Sequence, residues 1–191
     1  SLKVDLQVCI DARFVGKPDE DNRHNSVTRS FLEALGSLLS NIEVTRAQPL
    51  FVGRAAESLS KSVKKRPFLE ILDEECPGAW SGGTLKSPLG VDVDEFGFVT
   101  ICPGLSIGNT YATSLSKILE KYNYLNHAVI AALYDDGTEG LMDLASKNGF
   151  VPEKAYVNGC HFCYEARKFL RGFFPDALVL LTKQNPKDFT V

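Results

Sequence analysis

Along the chain, apolar and polar positions first fall into two strand–helix units. Val4 to Phe14 holds a short apolar stretch, Val8, Cys9 and Ile10, bounded by Gly16 and Pro18, and reads as a buried strand. A helix is expected next, capped by Asn25 or Ser26. Its apolar face is Val27, Phe31, Leu35, Leu38 and Leu39, at helical spacing, and Asn41 closes it. Ile42 to Val52 reads as a second strand, interrupted by Pro49 and ended at Gly53. Ala55 to Lys65 follows as a polar helix that Pro67 stops. Two consecutive strand–helix units predict a parallel sheet. Two strands alone make no stable sheet, so either further strands join or this is the end of a larger sheet.

The pattern changes near Pro67. Gly90 to Ile101 alternates as an antiparallel hairpin does, with Val91 and Val93 on one arm and Val99 and Ile101 on the other. Asp94-Glu95-Phe96-Gly97 supplies the turn, and Cys102 ends the outgoing arm. Pro103 to Asn109 reads as a loop of small residues. Helices are then predicted over Thr113–Tyr122, from Asn126 to Leu133 with a stop at Asp135-Asp136-Gly137, and over Thr138–Asn148. A last helix is placed from about Cys163, presenting Ala166, Phe169, Leu170 and Phe173 until Pro175.

Composition alters this picture only in what it excludes. With 44% hydrophobic residues in 191, a sizeable core forms without disulfide help. The net charge of -3 offers no basic field for a phosphate backbone, which speaks against nucleic acid as a partner. The basic run from Lys61 to Arg66 reads as a solvated helix end. No apolar run reaches the ~20 residues of a membrane span, and Ser1-Leu2-Lys3 has no signal-peptide character, so a reducing, cytoplasmic setting is expected.

In that setting the cysteines become informative. Cys160-His161-Phe162-Cys163 places two thiols three positions apart, as a tetrahedral metal, a redox pair or two unrelated thiols would have them. A thioredoxin-type pair sits early, before further strands, whereas few residues follow Cys163. Cys76-Pro77-Gly78 and Cys102-Pro103-Gly104 supply two more thiols on tight turns, where backbone can approach sulfur closely. Cys76, Cys102, Cys160 and Cys163 are therefore the expected ligands of one zinc or iron–sulfur site. Cys9, inside its strand, reads as a small buried hydrophobe.

The remaining candidates read as structural. His161 is an exposed spacer between the paired thiols or a donor to their ligand shell, and His24 and His127 are surface or capping residues. Asp92 and Asp94 share one side of the hairpin, as a carboxylate pair or a solvated face. No Ser-His-Asp order, phosphate loop or HExxH motif is present, and catalytic residues are not readable.

The stretch Val91-Asp92-Val93-Asp94-Glu95-Phe96-Gly97-Phe98-Val99-Thr100-Ile101-Cys102 resembles the hairpin that opens the C-terminal auxiliary-cluster domain of radical SAM enzymes. That domain is called SPASM, or Twitch in its shortened form. Cys76, Cys102, Cys160 and Cys163 are similar in order and approximate spacing to the shortened, four-cysteine form, the specific part running from Glu75 to Arg171. The resemblance implies that residues 1–67 are the tail of a parallel partial (β/α) barrel. Residues 68–191 would then form the small hairpin-plus-helices domain that holds an auxiliary [4Fe–4S] cluster, with zinc as a possible substitute. The family's Cys-x-x-x-Cys-x-x-Cys is absent from this sequence, so the SAM-cleaving core would lie upstream of residue 1. S-adenosylmethionine would then bind only in the larger parent, whose substrate is unreadable. With four thiolate ligands no iron stays open, which favours an electron-transfer or structural role. The rival expectation is a zinc-stabilised interaction module without catalysis.

Overall fold

The computed structural model describes residues 9–76 and 78–179. The expected strand positions Val4 to Val8, and Pro77, lie outside the described residues. Among the described residues the chain is mixed α/β, with six α-helices, small sheets and no closed barrel. It divides into two units, one of residues 9–50 with 61–64, the other of 51–60 with 65–179. No described helix is long and apolar enough to cross a membrane.

In the first unit, β1 (Cys9–Arg13) and β2 (Glu43–Ala47) pair in parallel, in register from Cys9 opposite Glu43 to Arg13 opposite Ala47. The crossover is α1 (Arg23–Leu35), which starts earlier than the sequence pattern suggests. Its cap is Asn22, whose side chain accepts a hydrogen bond from Asn25 N at 2.9 Å. Asn25, the expected cap, is fully buried and does something else. Its Oδ1 accepts from Val15 N at 2.8 Å, and its Nδ2 donates to the carbonyls of Val15, Lys17 and Glu20. One amide thus organises the whole turn between β1 and α1.

The helix face that meets the sheet is also shifted. Thr28 Oγ1 reaches the Arg13 carbonyl at 3.0 Å, and Leu32 packs on Ala12 and Phe14, with Leu35, Leu39 and Val44 flanking them. Val27, Phe31 and Leu38 are exposed instead of buried. Two strands lie only about 4.8 Å apart, so they cover one strip of a helix and not the wide apolar face the sequence offers. Cys9 is corrected as well: it is exposed, with its thiol directed to Glu43 Oε2 at 3.6 Å. In a two-stranded sheet, a strand residue can face water.

The second unit opens with α2 (Gly53–Ser58), β3 (Arg66–Pro67) and α3 (Phe68–Leu72). The basic run is not merely solvated at its end: Lys65 pairs with Glu153, and Arg66 with Glu70 and Glu74. The expected hairpin is present, β4 (Asp92–Val93) pairing antiparallel with β5 (Phe98–Cys102). Asp94 Oδ1 accepts from the backbone N–H of Phe96 and Phe98, both at 2.9 Å. It is therefore the side-chain brace of the turn, and Asp92 an exposed strand residue, with no carboxylate pair.

The predicted loop after Cys102 is a third strand, β6 (Leu105–Asn109), joined to β5 by the two-residue turn Pro103-Gly104. Leu105 and Ile107 are buried while the intervening Ser106 bonds Ala177 O through its backbone N–H. Next come α4 (Leu115–Lys121) and α5 (Ala128–Lys147). The latter kinks at Asp136 and Gly137, where Gly137 takes φ 60° and ψ -138°, so the expected stop is real. After β7 (Ala155–Tyr156), which pairs with β3, comes α6 (Gly159–Leu170).

The core of this unit joins the hairpin sheet to the helices through Val99, Ile101, Leu105, Ile130, Leu141, Tyr156, Phe162 and Leu170. Each such side chain contributes about 1.5–3 kcal/mol of apolar burial. In the first unit, Asn25→Leu should lower stability by roughly 2–3 kcal/mol, because the Val15 N–H is left buried without an acceptor. Denaturant titration measures this; a loss below about 0.5 kcal/mol would mean that the turn does not depend on Asn25.

Candidate metal centre

The four expected ligands all lie in the second unit. Cys76 follows α3, Cys102 is the last residue of β5, and Cys160 and Cys163 lie in the first turns of α6. That helix begins at Gly159, four residues before the expected start. Its cap is Asn158, whose Oδ1 accepts from His161 N at 3.0 Å. Cys160 and Cys163 are thus i and i+3 on one helical face, which points both thiols the same way.

Three polar ties draw these separate chain ends together. Glu74 Oε2 accepts from Gly159 N at 2.5 Å, linking the approach to Cys76 with the residue before Cys160. Trp80 N donates to Ile101 O at 2.8 Å, linking the exit from Cys76 with the residue before Cys102. Arg167 donates to Cys163 O at 3.2 Å and to Pro103 O at 2.8 Å, linking the second cysteine of α6 with the turn after Cys102. A fourth contact steadies α3: Thr138, at the kink of α5, donates its hydroxyl to Leu72 O at 2.6 Å. The glycines of both turns are needed as expected, Gly78 at φ 96° and Gly104 at φ 83°. A Cβ on Gly78 would stand 2.4 Å from Gly83 O.

The result is electrostatic convergence. Every one of Cys76, Cys102, Cys160 and Cys163 lies within charge–charge range of the other three. Burial pushes the Cys102 thiol up to about 12, with Arg167 opposing and the other thiols adding to the rise. Burial and the neighbouring Cys163 and Cys76 push Cys160 up to about 11, and burial raises Cys163 as well. As free thiols, Cys102, Cys160 and Cys163 are therefore neutral at pH 7. Cys9 belongs to the other unit.

Arg167 makes that neutrality costly. Its side chain is 5% exposed, yet none of the ion pairs among the described residues includes it. The acidic groups acting on it are Cys163, Cys102 and Cys160, which outweigh the opposing effect of burial and raise its pKa. Metal binding replaces thiol protons and leaves thiolates, so a metal–thiolate group would give this guanidinium its anion.

The donor set suits either zinc or iron–sulfur in chemistry. Among the described residues, no three His, Cys, Asp or Glu side chains stand in an arrangement that could hold a metal ion. The four thiols are thus gathered without being closed around a single centre. In a four-iron cluster each thiolate binds a different iron, which asks for a wider spread than one ion does.

His161 is corrected. It is 4% exposed, its Nδ1 accepts from Val157 N at 3.2 Å, and its ring packs against Phe51 and Tyr156. Burial lowers its pKa, with Lys65 adding to the effect. A residue between two cysteines on a helix points away from both, here into the core. His127 precedes α5 beside Tyr122, half-buried, and His24 lies in the first turn of α1.

Beside Cys76 opens a cleft of about 500 Å³ whose wall includes Asp73, Glu75, Asp136 and Glu139. Sequence reasoning missed Glu74 and Arg167. Arg167 carried a signal: Cys160, Cys163 and Arg167 are i, i+3 and i+7 on one helix face. Glu74 carried none, since its partner Gly159 is 85 residues away. No family model, curated protein or solved structure matches the chain.

Glu74→Ala should cost about 1.5–3 kcal/mol, the range of a hydrogen bond to a charged group. It should also speed amide exchange at Gly159 and Cys160. Glu74→Gln keeps an acceptor oxygen and should restore most of the protection. Unchanged exchange at Gly159 in the alanine variant would remove Glu74 from the assembly of the site.

Proposed function

We propose that this chain carries the auxiliary-cluster part of a radical SAM, Fe–S oxidoreductase-like enzyme of the cytoplasm. Cys76, Cys102, Cys160 and Cys163 are the ligands of one [4Fe–4S] cluster. The observation that carries the reading is that hydrogen bonds tie the three segments bearing these thiols to one another, beside a buried guanidinium that has no carboxylate partner among the described residues. The hairpin ending in Cys102 agrees with the resemblance of its sequence. The parallel pair β1–β2 with α1 agrees with the end of a partial barrel whose SAM-cleaving core precedes residue 1 in the same protein.

When bound, such a cluster stores and passes one electron at a time. The chain's own contribution is positional. Glu74, Trp80 and Arg167 tie the three chain segments that carry the thiols to one another, and the core packs against those segments. Four thiolates occupy the cluster's outer positions, so the reading assigns it electron transfer or structural support and leaves substrate chemistry to the core upstream.

Anaerobic reconstitution with iron and sulfide tests this. A brown protein with about four irons and four sulfides per chain is expected, and Cys163→Ala should lose most of both. A colourless protein holding one zinc per chain instead establishes the zinc-stabilised module, and a protein that retains neither metal overturns both readings.

The reconstituted chain should also form no 5′-deoxyadenosine from S-adenosylmethionine under reducing conditions. Reductive cleavage needs an iron free of protein thiolate, and Cys9 alone cannot hold a second cluster. Product above an iron-free control, detected chromatographically, would show that the cysteines are misassigned.

A further inference from the structure

The geometry points to Arg167 as the internal counter-ion of the cluster: its fixed charge positions the ligand-bearing segments and sets the reduction potential. This rests on the cluster reading above. The guanidinium is buried and bonds to backbone on both sides of the site, at Cys163 O and Pro103 O. Two carbonyl acceptors orient it but do not neutralise it, and a buried charge without an anion is strongly unfavourable. Those two bonds set it beside Cys163 and the residue that follows Cys102, so the thiolates that metal binding would create there are its anions. Two carboxylates that bond to α6 have partners of their own: Glu57 is engaged by Lys168 and Tyr164, and Glu74 by Arg66 and Gly159 N.

A second consequence concerns the electron. Four thiolates on a [4Fe–4S] core give an anionic assembly, and adding one electron makes it more negative by one charge. No bond to the protein forms or breaks in that step, and no proton is required. Arg167⁺ stabilises the reduced form more than the oxidised one, so it raises the potential. A neutral side chain of similar length removes that bias; a lysine keeps the charge but not the planar fork that spans two carbonyls.

The test is a potentiometric titration of the anaerobically reconstituted protein with dithionite, followed by the reduced cluster's electron paramagnetic resonance, for wild type, Arg167→Lys and Arg167→Met. Arg167→Met should favour the oxidised form on the order of tenfold at a given potential, about 59 mV lower for one electron. Arg167→Lys should stay near wild type. If Arg167→Met does not load while Arg167→Lys loads and titrates near wild type, charge is again the requirement and the inference stands. Equal potentials in all three proteins, or equal failure of both variants to load, overturn it. Wild type that takes up no iron fails the cluster reading itself, an outcome distinct from either.

Discussion

A guanidinium cut off from water needs an anion nearby, and thiols buried in an apolar setting resist becoming anions. In this protein the two unfavourable situations occupy the same place. Arg167 is buried against Cys163 and Pro103, and burial keeps Cys102, Cys160 and Cys163 in their neutral forms. A cation that draws protons off the sulfurs relieves both problems together. The surrounding structure can be understood as what keeps the arrangement from relaxing apart.

That restraint comes from backbone groups at the ends of elements, where helices and strands leave donors and acceptors unused. Gly159 N is one such helix-start donor and takes the Glu74 carboxylate; Leu72 O, at the end of α3, takes the Thr138 hydroxyl. Pro103 O, in a turn with no ladder partner, takes Arg167. The thiols are therefore positioned by short local contacts, each within a few residues of a cysteine. The large apolar core of the same unit supplies rigidity instead of direction.

How much of this was legible depended on whether the signal was local. The hairpin could be read because Val91, Val93, Val99 and Ile101 alternate around a turn whose Asp94 bonds its own neighbours. The break at Asp136-Gly137 could be read because only glycine accepts that backbone geometry. Strand β6 could not: Ser106 and Gly108 resemble loop residues until β5 on one side and Ala177 on the other supply their partners. The start of α6 was hidden because Asn158-Gly159 has the look of a turn, while Asn158 is in fact the cap. His161 and Cys9 were each placed on the wrong side of the surface, since burial depends on neighbours that short sequence windows do not contain. The order of the four cysteines was plain in the sequence, and the charge beside them was not.

The segment after α6 has a further effect. Leu178 bridges Leu105, Ala177 O accepts from Ser106 N, and Val179 N donates to Gly104 O, so the chain lies along the outer side of β6. Without it, that margin would offer open N–H and C=O groups beside the buried Leu105 and Ile107, a template on which another chain could add a strand. This cover reaches the sheet only after every cysteine has been synthesised. A nascent or partly unfolded protein therefore shows a sticky edge and four ungathered thiols together, and both self-association and thiol oxidation threaten it most in that interval.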